Sequence, residues 1–334
     1  MKRIKEWDHG TPLVLACRPG LGEFFLAAGL VDEVIEINKR TREGRQQARA
    51  KLHGREWDII FVPHESPRTA SWIWRLKTKR AKIGFKRWWN FLVFQRRVIK
   101  PMELPDALRQ LSLLTAVDAD LKSKFMSGEV QRWRNPLEQN SLEDFRSVPI
   151  PSWASMTLRK SPLVAQRRRV FLAPGSVWAT KRWTIEGYQN LAQLLHDQGY
   201  QVELVGSQAE KPLCDQIQKV VTGLTNRAGT TSLRQLVELF AQDDALALVC
   251  NDSGAMHAAA IAGLPSVAIF GPTVLAQGFR PWQDQALVVQ RPLACRPCGK
   301  HGSQVCPIGT HECMKDIGAP EVLAALKQLT SDTL

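Results

Sequence analysis

No stretch of the 334-residue sequence approaches the ~20 uninterrupted apolar residues that span a bilayer. The start, MKRIKEWDHG, has no apolar segment of the secretory type, so a cytoplasmic protein is expected. The phosphate-cradling pattern GxxxxGK followed by Ser or Thr is missing, which excludes a P-loop nucleotide hydrolase, and no GxGxxG follows a strand in the second half. No tandem repeat appears at a period of roughly 20 to 50 residues, which excludes a solenoid. Acidic residues are absent between Ser66 and Met102, where eleven Lys or Arg interleave with Trp72, Trp74, Trp88 and Trp89. That stretch carries most of the net charge of +13 and suits phosphates on a nucleic acid, an anionic membrane face or an acidic glycolipid. Seven cysteines without an export signal are expected to be reduced thiols, buried or metal-binding rather than bridged.

What remains is 44% hydrophobic, enough to fill the cores of two domains of roughly 150 residues each. In the first half TPLVLACR, VDEVIEIN and WDIIFVP read as strands, GEFFLAAG and residues 42–53 as helices. A basic helix follows Pro67, then a short strand near KIGF and an amphipathic helix from Pro105 to Val117. Residues 129–162 are polar, carry Pro136, Pro149, Pro151 and Pro162, and read as a connection. The second half restarts with RRVFLAPG as strand and turn, the helix TIEGYQNLAQLLHDQG, the strand YQVELVG, and helices around 210–221 and over TSLRQLVELFAQ. The alternation predicts parallel, helix-covered sheets in two Rossmann-like domains facing a cleft. The expected boundaries are 1–155, 163–318 and a terminal helix over 319–334.

Residues 249–273, VCNDSGAMHAAAIAGLPSVAIFGPT, place a polar knot between a buried strand and an alanine-rich helix. Asp252 or Ser253 is a natural N-cap, and the first N–H groups of the helix would face whatever lies above the strand. His257 falls on the first helical turn; a capped helix with a core histidine is the plainer alternative. Parallel sheets gather ligands at the carboxyl ends of their strands, so three further turns should join this one. They are APGSVWATKRW with Ser176 and Lys181, GSQAE with Glu210, and GPT ending at Thr273. Amides and a lysine around a tight turn suit a diphosphate, and an acid such as Glu210 suits ribose hydroxyls. A nucleic-acid-binding reading leaves these four turns unexplained.

The runs APGSVWATKRW, GSQAE, NRAGTTSL and NDSGAMHAAAIAGLPSVAIFGPT, with WDIIFVPHESPRTASWIWRLKTKRAKIGFKR before them, resemble the bacterial ADP-heptose:lipopolysaccharide heptosyltransferases, glycosyltransferase family nine. The resemblance implies the GT-B fold, with the donor on the C-terminal domain and the acceptor on the N-terminal one. It implies inverting transfer of heptose from ADP-heptose to the lipopolysaccharide inner core. Ser176, Lys181, Glu210, Asp252, Ser253, Gly254, His257 and Thr273 would then line the donor pocket, and Arg68, Lys86 and Arg87 would meet the acceptor. No metal would be required for transfer, because Lys181 and a helix N-terminus carry the leaving group's charge. The implied partner is a phosphorylated lipid A-core glycolipid, with the enzyme peripheral on the cytosolic face of the inner membrane and no nucleic acid involved. An inactive relative that keeps the donor or glycolipid site is the alternative.

The family's acceptor base is an Asp in a Gly-Asp pair just after the first strand, and that pair is not found. Either LVLACRPGLG followed by VDEVIEI corresponds to the family's second strand, leaving the head of the domain short, or GLGEFFL is the first loop with Glu23 as the base. Asp8 is a weaker candidate. Near the other end, Cys295, Cys298, Cys306 and Cys313 follow C-x2-C-x7-C-x6-C, which admits a structural zinc or, alternatively, a loop packed by small thiols.

Overall fold

The computed structural model describes residues 1–157 and 168–330. Pro162 and the expected domain start at 163 lie outside them. The chain forms two compact units, Met1–Arg134 and Asn135–Leu334.

The first unit runs α1 (Lys2–Trp7), β1 (Val14–Cys17), α2 (Gly22–Ala27), β2 (Glu33–Glu36), α3 (Arg42–His53), β3 (Trp57–Val62), α4 (Pro67–Ile73), β4 (Thr78–Phe85), β5 (Arg96–Val98), α5 (Asp106–Leu111) and α6 (Ala119–Met126). Side-chain caps set the helix starts: Thr41 accepts from Gly44 N, Ser66 from Thr69 N ahead of Pro67, and Asp118 from Leu121 N. Every strand pairing is parallel, as the alternation predicts, with β1 beside β2 and β4 between β3 and β5. The strand near KIGF is longer than expected, covering eight residues. The helix expected over 105–117 is α-helical only to Leu111 and continues as a 3-10 turn over Ser112–Ala116. Ser112 and Thr115 explain the change, since their hydroxyls donate to the carbonyls of Arg109 and Ser112 at 2.7 and 2.8 Å and compete with the helical pattern.

The second unit contains β6 (Leu142–Asp144), β7 (Arg169–Ala173), α7 (Ile185–Asp197), β8 (Gln201–Leu204), α8 (Lys211–Val220), β9 (Thr225–Asn226), α9 (Leu233–Phe240), β10 (Ala245–Asn251), α10 (Gly254–Ala262), β11 (Ser266–Phe270), β12 (Ala286–Gln290), α11 (Glu312–Lys315) and α12 (Ala319–Thr330). Its seven-stranded sheet has the order β6-β12-β11-β10-β7-β8-β9 and is parallel except at β6. Part of the segment expected as a connection is therefore the sheet's edge. β6 itself, LED, has no proline, and Pro136, Pro149 and Pro151 flank it. Phe145 fixes it there, buried beneath the Arg280 guanidinium at 4.2 Å from its ring.

β10, β11 and β12 are buried at every residue, which accounts for their unbroken apolar runs. Val170, Leu172, Ala247, Val249, Val267 and Ile269 pack with Tyr188, Leu191 and Leu195 of α7, Ile217 of α8 and Val322 and Leu326 of α12. The intervening Phe171 points the other way and meets Phe240 of α9 with ring centroids 5.0 Å apart. From β7 the chain winds outward through β8 and β9 on one side, while β10, β11 and β12 lie on the other. The order reverses between β7 and β10, and ligands settle at such a point in doubly wound sheets. Among the described residues no helix is long and apolar enough to cross a membrane.

Candidate functional site

At the reversal, the turn after β7 and the knot after β10 are joined by Asn251, which is fully buried. Its side-chain amide donates to Pro174 O at 2.9 Å and Gly175 O at 3.3 Å, and its oxygen accepts from Trp183 N at 2.9 Å. Trp183 is anchored in turn, donating from Nε1 to Ile317 O at 3.0 Å and packing edge-on against Tyr188. Gly187 makes room for that indole, since a Cβ there would lie 2.4 Å from it. The WATKRW segment is thus nailed down at its second tryptophan, two residues after Lys181.

Lys181 and Asp252, 7% and 6% exposed, form an ion pair with Nζ to Oδ2 at 2.6 Å. The Thr273 hydroxyl donates to the same oxygen at 2.7 Å, and Ser176 Oγ approaches Asp252 O at 3.5 Å. Four residues from three turns therefore converge as expected. Asp252, however, directs its carboxylate at Lys181 and Thr273, so the lysine whose charge the sequence assigns to a diphosphate already carries a protein counter-ion. A buried ammonium needs a partner, and Asp252 is the acid placed to supply it.

Beside this group α10 begins at Gly254 after Ser253, which makes no side-chain cap bond. Gly254 is exposed and a Cβ there would meet nothing within 4 Å, so the start of the helix is not covered by side chains. His257 lies one turn further along, half-buried. On the other side of β7, Glu210 Oε2 accepts from Ser207 N at 2.7 Å and Ser207 Oγ at 2.8 Å. Its carboxyl group lies against Gly175, where a Cβ would come within 2.2 Å. The turns after β7 and β8 consequently meet through a glycine and a carboxylate.

Two supports escaped the sequence reading. The first is Arg296, 5% exposed, whose Nη2 donates to Thr273 O at 2.7 Å and to Gln290 Oε1 at 2.9 Å. Its Nε reaches Gly271 O and its Nη1 reaches Arg291 O. Burial lowers its pKa to about 10, leaving it protonated at neutral pH to serve all four acceptors. The second is the tail after it. Thr180 N donates to Ser303 O at 3.1 Å, Ser303 N donates to Thr180 Oγ1 at 2.9 Å, Thr180 Oγ1 donates to Ser303 O at 2.6 Å, and His311 Nε2 lies 2.8 Å from Thr180 O. The sequence shows only an arginine between two cysteines in CRPC, and its burial comes with the fold.

A structural zinc at Cys295, Cys298, Cys306 and Cys313 is not shown. All seven cysteines are free thiols, and among the described residues no three His, Cys, Asp or Glu side chains are placed to hold one metal ion. The four thiols lie near one another around Arg296, although Cys295 is exposed and Cys313 is buried in α11, and Cys298 N donates to Pro272 O. Burial raises the Cys298 thiol and pushes Cys313 up to about 11, so both stay protonated at neutral pH.

In the first unit Glu23 is exposed on the first turn of α2, following β1. Gly22 before it packs on Val34, which a Cβ would strike at 2.2 Å. Asp8 is engaged locally, accepting from Gly10 N and Thr11 N at 3.3 and 3.2 Å. Arg68 lines a cavity of about 290 Å³ with Lys39, Arg45 and Trp72. Lys86 and Arg87 follow β4, and Arg87 pairs at 2.6 Å with Glu65, just ahead of α4, which carries Arg68.

Residues 45–308 match the model of glycosyltransferase family 9 (heptosyltransferase). Lipooligosaccharide heptosyltransferase 2 of Campylobacter jejuni is 32% identical over 181 residues, 52% of this chain and 55% of that protein. The chain thus spans about half the length of the curated relatives it matches. Among solved structures, Escherichia coli ADP-heptose lps heptosyltransferase II superposes with a TM-score of 0.68 at 22% identity, covering 99% of this chain and 93% of the other. A glycosyl transferase family 9 protein of Veillonella parvula gives 0.73 at 17% identity, with 99% and 92% covered. The α/β fold with its parallel sheets is that of these GT-B proteins. With four fifths of its length inside the family model, the chain belongs to glycosyltransferase family 9, the heptosyltransferase family.

Proposed function

We propose that the protein transfers heptose from ADP-heptose to a hydroxyl of the lipopolysaccharide inner core with inversion. The observation that carries this reading is the Lys181–Asp252–Thr273 group buried at the strand-order reversal, beside the start of α10, where Gly254 is exposed and Ser253 makes no side-chain cap bond. An ammonium held by one acid keeps its remaining protons for a second anion. The diphosphate of the donor would accept them, together with the Ser253 and Gly254 amides and the Ser176 hydroxyl. As the sugar's bond to the diphosphate breaks, charge grows on the leaving ADP, and donors already in place stabilise it without a metal. Glu210 is assigned to the ribose hydroxyls and His257 to the sugar side of the pocket.

Glu23 is assigned as the base that takes the acceptor's proton. The acceptor would be a phosphorylated lipid A-core glycolipid, met by Arg68 in a cavity lined by three cations and by Lys86 and Arg87. Such an acceptor implies a cytoplasmic enzyme peripheral on the inner membrane.

The test is to supply ADP-heptose and a heptose-deficient core saccharide and to follow ADP release and the anomeric configuration of the product. Acceptor-dependent ADP release with inversion is expected, and ADP alone should raise the thermal midpoint saturably. Saturable ADP binding without turnover would leave an inactive relative instead. Gly175→Ala tests the ribose contact. Its methyl group must displace Glu210, so ADP affinity should fall about tenfold, roughly 1.4 kcal/mol, with a near-native melting curve. Unchanged affinity in calorimetry would remove Glu210 from the pocket.

A further inference from the structure

β4 and β5 run parallel, with Phe85 opposite Val98, and Lys86 N donates to Val98 O at 2.8 Å. The segments leaving these strands, residues 86–95 and 99–102, therefore start side by side on one sheet edge. Asn90, 1% exposed, folds the first into a fixed turn. Its amide donates to Phe85 O at 2.8 Å, its side-chain oxygen accepts from Arg87 N at 3.1 Å, and Val93 N and Phe94 N donate to Asn90 O at 3.1 and 3.2 Å. Val93 and Phe94 turn inward and are buried with Val62, Ala70, Ile73 and Leu76. The same turn leaves Trp88, Phe91 and Leu92 in water at 89, 57 and 65% exposure, and the second segment leaves Ile99 and Met102 at 75 and 58%.

A turn pinned from beneath that displays large apolar side chains marks an interaction surface. Its charge identifies the partner. Lys86, Arg87, Arg96, Arg97 and Lys100 border these side chains, and one acid, Glu65, pairs with two of them, Arg87 at 2.6 Å and Lys100 at 2.8 Å. Tryptophan at headgroup depth, aliphatic and phenyl groups below it and cations facing phosphates is how a protein sits on an anionic bilayer. Base stacking by a nucleic acid would give Leu92, Ile99 and Met102 no role.

We infer that this edge docks the protein on anionic phospholipid, with Trp88, Phe91, Leu92, Ile99 and Met102 entering the boundary between headgroups and acyl chains. The inference deepens the proposed function, resting on its assignment of a lipid-borne acceptor.

Sedimentation of the full chain with vesicles of phosphatidylglycerol and phosphatidylcholine, against phosphatidylcholine alone, tests it. Binding to the anionic vesicles is expected to be at least tenfold tighter. The triple variant Trp88→Ser, Phe91→Ser, Leu92→Ser should lose at least tenfold of it, and Arg97→Glu should lose part, both keeping the wild-type affinity for ADP and melting curve. In wild type, brominated lipid should quench a tryptophan signal that Trp88→Ser removes. A triple variant that binds vesicles as wild type does, or vesicle binding abolished by an oligonucleotide, overturns docking by this edge. The two readings fail separately. Vesicle binding without heptose transfer leaves docking standing and sinks the reaction, whereas transfer to a lipid-free core saccharide by a protein indifferent to anionic vesicles sinks docking alone.

Discussion

Lys181→Ala is expected to lower the proposed heptose transfer by about two to three orders of magnitude, the scale lost when one preorganised donor to a developing negative charge is removed. It should also abolish protection by ADP against heat. The same substitution strands Asp252, 6% exposed, without its cation, and breaking a buried pair from one side costs about 3–5 kcal/mol of stability. Loss of activity alone would therefore be ambiguous. The double variant Lys181→Ala, Asp252→Ala separates the effects, because it removes the stranded charge along with its partner. Denaturant unfolding should recover much of its wild-type midpoint in the double variant while transfer and ADP protection stay lost. Recovery of transfer with stability would show the lysine to be a structural brace only.

The second large effect is expected from Arg296→Met, which keeps the stem of the side chain but removes the guanidinium from the carbonyls of Gly271, Thr273 and Arg291 and from Gln290. Each acceptor left buried without a donor costs about 1–3 kcal/mol, and several lost together should lower the unfolding free energy by about 3 kcal/mol or more. The turn that bears Thr273 would loosen, so ADP affinity should fall although Arg296 is not assigned to the ligand. Chemical denaturation and calorimetry check the two effects. An unchanged midpoint would mean that the tail does not hold the turn and that CRPC is no brace for the donor site.

That bracing shows where sequence patterns stop. The spacing of four cysteines is compatible with a metal, and nothing local in CRPCGKHGSQVCPIGTHEC says otherwise. The bracing role emerges only when residues 303 and 311 are found against Thr180, more than a hundred positions earlier in the chain. The link expected over 129–162 changes meaning likewise. Its prolines signal an irregular path, but its pairing with β12 depends on a strand far along the sequence.

Local information went far for the elements and their turns. An apolar run meeting an alanine-rich stretch at Asn251-Asp252-Ser253-Gly254 determines a strand, a turn and a helix, because periodicity and capping act within a few residues. The same motifs determined the family and gathered Ser176, Lys181, Asp252 and Thr273 at one sheet edge. Only the tertiary structure decided what those side chains do to one another. Lys181 and Asp252 lie 71 residues apart and Asp252 and Thr273 lie 21 apart, and strand order alone makes them neighbours. It also decided which aromatic residues of the basic stretch face water, since Trp88 and Phe91 stand out while Val93 and Phe94 turn in around one buried asparagine. Burial and pairing are properties of distant segments brought together, so they appear only when the chain is folded.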